Sequence, residues 1–142
     1  MLTKVAPDAS PEVRIDSAAY RPTLPFRSSL IENIVRDAGG VTHGFLRAQG
    51  VFMTVDVPGA TFTRAVGINA QGAIVGDYRF GAAFGTHGFV LTKGVSSAID
   101  FPGAICGGFT RAFGINDSGT IVGDYGFSGA THGFIYTNAG FR

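Results

Sequence analysis

From residue 51 the chain places Val51, Met53, Val55 and Val57 on one face of an extended segment and Phe52, Thr54 and Asp56 on the other. A period of two predicts a strand with one face packed. Pro58-Gly59 stops it, because proline has no N–H for a ladder and glycine accepts turn dihedrals. Before it, "HGFLRA" predicts a strand closed by the Gly-containing turn "AQG", which becomes "TKG" further on. After it, "TRAVGIN" and "AIVGDYRF" predict two strands of a hairpin around "NAQG". The pattern therefore predicts four short strands in succession.

The pattern is then written again. "RAVGINAQGAIVGDYRF" (Arg64 to Phe80) returns as "RAFGINDSGTIVGDYGF" (Arg111 to Phe127), with the turn residues Asn69 and Asn116 in step. Taking "THGF" as the start divides the chain into units at 42–85 and 86–130, with a third beginning at 131–142. The protein's three histidines, His43, His87 and His132, head these units 44 and then 45 residues apart. In each full unit an Asp follows the His by 13 residues (Asp56, Asp100), and Arg64 and Arg111 precede Asp77 and Asp124 by 13. Lengths differ only at two junctions, as expected of fixed elements joined by loops. Pairing Ile68 with Ala73 sets Gly67 against Ile74, Val66 against Val75 and Arg64 against Asp77; pairing Ile115 with Thr120 likewise opposes Arg111 and Asp124. The recurring Arg and Asp are then cross-strand ion pairs, worth up to about 1 kcal/mol each unless buried. His43, His87, His132, Asp56, Asp100, Arg64, Arg111, Asn69 and Asn116 are accordingly expected to be structural positions of the repeat.

The first 41 residues differ. They carry 10 of the 21 charged side chains, but only Phe26 of the 13 phenylalanines and Gly39 and Gly40 of the 22 glycines. Residues 1–27 read as a polar, proline-punctuated arm that is poorly ordered unless it docks. Residues 28–41 support two readings. Ser29 and Glu32 have capping-box spacing ahead of an apolar side, which predicts a short helix ended by Gly39. Alternatively "IVRDAGGVTHGFL" is the worn tail of an earlier repeat, echoing "IVGDYRFGAAFGTHGFV".

Four strands in about 40 to 45 residues is the arithmetic of a β-propeller blade. The expected fold class is all-β, with tandem four-stranded antiparallel blade-like repeats forming a partial β-propeller after the arm. The phrases "GINAQGAIVGDY" and "THGFL" also resemble the bacterial HAF-type extracellular repeats, named for a His-Ala-Phe signature that reads His-Gly-Phe at His43, His87 and His132. The resemblance covers about Thr42 to Arg142. It implies a repeat fold and an extracellular setting, and brings no catalytic residues and no cofactor. The N-terminus has no apolar h-region of a signal peptide, so the location stays unassigned.

Charge narrows the partners. With 11 basic and 10 acidic residues the net charge is +1, which gives no footprint for nucleic acid or for an anionic membrane. No apolar run reaches the roughly 18 residues of a membrane helix. The single Cys106 can form no intramolecular disulfide. Three histidines suggest a metal, yet they recur once per unit, so hydrogen bonds to Asp are the simpler expectation and no metal or cofactor is assigned. The same recurrence makes Asp56 and Asp100 structural rather than an acid–base pair. "NDSG" lacks the spaced carboxylates of a calcium loop, and no nucleophile elbow or phosphate-binding loop occurs. Tyr78 and Tyr125, beside Asp77, Asp124 and Arg79, are the candidate ligand-binding set, a sugar being held by stacking and hydroxyl hydrogen bonds.

Two units and a beginning cannot close a ring of about four to eight blades. The expectation is a non-enzymatic binding module, of carbohydrate or of itself, completed by self-association. The alternatives are a purely structural piece of a longer repeat protein and an enzyme with one asymmetric site, against which the duplication of the polar residues argues.

Overall fold

The computed structural model describes residues 28–29, 34–48, 51–82, 85–104 and 107–142. The arm expected at 1–27 lies outside these residues. The fold is all-β, with strands β1 (Ser28–Ser29), β2 (Val35–Arg36), β3 (Thr42–Ala48), β4 (Val51–Val55), β5 (Phe62–Ile68), β6 (Ile74–Arg79), β7 (His87–Thr92), β8 (Val95–Ile99), β9 (Phe109–Ile115), β10 (Ile121–Phe127), β11 (Ala130–Thr137) and β12 (Gly140–Phe141). Within 28–41 the described residues contain two short strands, both paired with β3, while 30–33 lie outside them.

Hydrogen bonding gathers β1–β8 into one mixed sheet and β9–β12 into a second, antiparallel one. In the first, β5-β6-β7-β8 is an antiparallel meander joined to β3 through the parallel pair Thr42–Phe62. The second sheet repeats that meander, and an isolated parallel bridge, Thr86–Phe109, repeats the junction. Each meander thus joins the Arg–Asp hairpin of one sequence unit to the His hairpin of the next. Pro58-Gly59 and Pro102-Gly103 end the His hairpins and send the chain across to the next Arg–Asp hairpin.

Two hydrophobic clusters lie between consecutive groups of strands. Leu46 and Val55 of the β3–β4 hairpin pack against Ala65, Ile74, Tyr78, Phe89 and Leu91. One step along, Val75 and Ile99 pack against Ala112, Ile121 and Phe134. Each meander therefore has a front face turned to the group of strands before it and a back face turned to the group after it. Strand β6 uses both: Ile74 and Tyr78 point forward into the first cluster, Val75 backward into the second. The predicted alternation in β4 appears as a buried Val55 and a packed Met53 opposite an exposed Phe52.

The hairpin register matches the expectation at one end only. Arg64 faces Asp77 and Ala65 faces Gly76, but Gly67 pairs with Val75 and Ile68 with Ile74. A β-bulge at Val66 shifts the ladder by one residue, and the second copy does the same at Phe113, with Gly114 facing Val122 and Arg111 facing Asp124. The turn causes the shift. Asn69 N donates to Ala73 O (3.1 Å), which closes a three-residue loop ending in Gly72 at φ 79°, a left-handed value glycine adopts freely. That loop pairs the strands one residue out from the expected register, and the bulge restores it before the ion pair.

Candidate functional site

The polar residues singled out by repetition come together in three kinds of contact. In the Asn turns, Asn69 Oδ1 accepts from Gln71 N (3.1 Å) and Ala73 N (2.9 Å), and Asn116 Oδ1 accepts from Thr120 N (2.8 Å). Asn69 also reaches out of its own hairpin: its Nδ2 donates to Asn116 O at 3.1 Å, while Ala70 N donates to Asp117 Oδ1 at 2.9 Å. Equivalent turns are thereby joined directly. Gly67 makes this possible, since a Cβ there would sit 3.2 Å from Gly114 Cα and 3.1 Å from the Phe113 carbonyl oxygen.

Arg64 Nε and Nη2 donate to Asp77 Oδ1 at 2.9 and 2.7 Å; Arg111 Nε and Nη2 donate to the two oxygens of Asp124 at 2.9 and 2.6 Å. The pairs differ in surroundings. The Asp77 side chain is 4% exposed and that of Asp124 17%. Burial raises the Asp77 carboxyl above the ordinary carboxylate value, against the opposing pull of Arg64, Arg111 and Arg79. The hydrogen bonds that Arg111 donates to Asp124 hold its guanidinium above the ordinary value.

His87 Nδ1 lies 3.0 Å from Asp100 Oδ1. His43 Nδ1 lies 2.9 and 3.0 Å from the Asp56 oxygens, and its Nε2 lies 3.3 Å from Asp37 Oδ2. Burial pulls His43 downward, but the hydrogen bonds and charges of Asp56 and Asp37 outweigh it and the imidazole is raised. Burial is the main cause that raises Asp56, and the hydrogen bond from Val41 N is the main one that lowers Asp37. His132 stacks on Tyr125 at 5.2 Å between centroids.

Within the candidate ligand set Tyr78 and Asp77 are buried, while Tyr125, Asp124 and Arg79 are half-buried. Tyr78 is 7% exposed, between His87 (5.3 Å) and Phe80 (5.4 Å), and burial followed by the charge of Asp100 raises its phenol. Tyr125 stacks on Phe101 at 3.6 Å, and Arg79 lies 4.3 Å over the Phe62 ring. Among the described residues no group of three or more His, Cys, Asp and Glu is placed to hold a metal ion, and no helix is long and apolar enough to cross a membrane. No family model, curated protein or solved structure matches the chain.

Sequence reasoning passed over four participants. Thr63 and Thr110, both buried, accept hydrogen bonds from Val57 N (3.2 Å) and Phe101 N (3.1 Å) and pin the segment after each His hairpin. Their signal was present, because "FTRA" recurs unchanged. Asp117 has no acidic counterpart in the other copy, so repetition could not reveal it, and the echo "IVRD" aligns Asp37 with Asp77, whereas in the structure it meets His43.

Proposed function

We propose that this chain is a non-enzymatic assembly module of HAF-like, blade-type repeats, in which successive units stack front to back as propeller blades do. One observation carries the reading: the hydrogen bonds across 47 residues, from Asn69 Nδ2 to Asn116 O and from Ala70 N to Asp117 Oδ1, join equivalent turns of neighbouring units. A residue that bonds to its own copy is built for stacking. The other recurrent polar groups support this, because Arg64, Arg111, Asp77 and Asp124 bind one another, and His43 and His87 bind Asp56 and Asp100. The packing of Tyr78 and Asp77 weighs against a sugar platform and toward self-association.

The test is the solution mass of the folded chain by sedimentation equilibrium over a wide concentration range. Assembly predicts a concentration-dependent rise above the monomer mass. A folded chain that stays monomeric throughout would refute the reading.

A further inference from the structure

The two meanders have equivalent back faces with very different exposure. Val75, on the back of the first, is fully buried by the second; Val122, its counterpart, is 45% exposed. Val90 is packed into the second cluster, whereas its counterpart Ile135 is 47% exposed. Val122 and Ile135 are directly opposed on β10 and β11, so they form one continuous apolar strip. Phe113, at the bulge beside them, is also exposed, and Asn116 is exposed where Asn69 is buried. A face that is covered once within the chain recurs on the second sheet, where no described residue covers Val122 and Ile135 in the same way.

The opposite end shows the complement. On the β3–β4 hairpin, Leu46, Met53 and Val55 point back into the first cluster, leaving His43, Phe45 and Phe52 on the front. Val35 lies opposite His43 and shares that face. Val35 and Phe52 are 50% and 57% exposed. The covered copy shows what such a front does: Phe89 and Phe134, the counterparts of Phe45, are buried against the preceding back face. Exposed apolar faces of this kind mark interaction sites.

We propose that the back face of the second sheet, around Val122 and Ile135, docks the front face of a second copy's β3–β4 hairpin, around Phe52 and Val35. This rests on the assembly reading above and adds to it the partner, the surfaces and the polarity. Contact between different patches is heterologous, so copies add head to tail and stop only where a ring closes.

Two full-length variants test the polarity. Val122→Glu with Ile135→Glu blocks the back; Val35→Glu with Phe52→Glu blocks the front. Circular dichroism checks that each remains folded, and threonine in place of glutamate serves where it does not, since threonine suits strands. The expected result is an assembled wild type, two variants that are each monomeric alone, and a one-to-one heterodimer on mixing, because the mixture retains one intact front and one intact back. Survival of the wild-type assembly in either variant, or the absence of a heterodimer on mixing, would overturn the head-to-tail proposal while leaving assembly itself standing. A monomeric wild type would instead overturn both.

Discussion

Arg64 and Arg111 make the same contact in unequal surroundings, so truncating each to alanine weighs burial against chemistry. Removing Arg64 leaves Asp77 as a buried carboxylate without its strongest partner. Breaking one side of a buried ion pair costs about 3 kcal/mol or slightly more. Asp124 is partly wetted, so Arg111→Ala should cost about 1 kcal/mol. With a urea slope of about 1.5 kcal/mol/M, the first loss lowers the unfolding midpoint by about 2 M and the second by about 0.7 M. Protein concentration must be held constant, since association adds apparent stability. The deficit of Arg64→Ala should also depend on pH. The folded Asp77 carboxyl is raised above its unfolded value, mainly by burial. Its ionisation therefore opposes folding, and stability falls as pH rises from the unfolded value through the folded one. Without Arg64 the folded value rises further, so the deficit is largest near neutrality and shrinks on acidification as Asp77 takes up a proton. Adding Asp77→Asn to Arg64→Ala should recover much of the loss by replacing the stranded charge with a neutral amide. Equal losses for the two arginines, or a deficit independent of pH with no recovery in the double variant, would show that arginine packing rather than charge burial sets the effect.

Two further outcomes follow from the geometry. Asn69→Ala removes one buried and one part-buried hydrogen bond within its turn and one between units, whereas Asn116→Ala removes exposed bonds only; expected losses are about 2–3 and about 1 kcal/mol, read as melting temperatures, and equal values would contradict a role for Asn69 between units. His43 is raised above the ordinary imidazole value, so the stability it contributes is complete below that value and fades as pH rises through the folded one. His43→Gln should flatten the stability profile between about pH 6 and 8, and an unchanged slope in urea titrations across that range would contradict the assignment.

The strands and their order were legible because turn residues bracket each run, and Arg64–Asp77 was legible because a fixed spacing recurs. Four features were hidden, for different reasons. The bulges at Val66 and Phe113 escaped because pairing Ile68 with Ala73 ignores the Asn69 side chain, which closes its own loop one residue later; the Asn-x-x-Gly spelling held that information. The depth of burial of Tyr78 escaped because a strand buried on both faces loses the alternation that would mark inward and outward positions. The grouping of strands into sheets escaped because a tandem repeat has no intrinsic starting point: "THGF" is a convenient boundary for the eye, while the ladder runs from the Arg–Asp hairpin to the following His hairpin. The contact from Asn69 to Asn116 lay deeper still, since identical residues do not announce that they touch.

The bulge at Val66 has a mechanical meaning. It works as a slip joint, separating the geometry of the Asn turn from that of the ion pair further down the same two strands. Small shifts in the Asn69 turn, as it seats Asn69 and Ala70 against the next unit, are therefore absorbed above the joint, with Arg64 and Asp77 undisturbed.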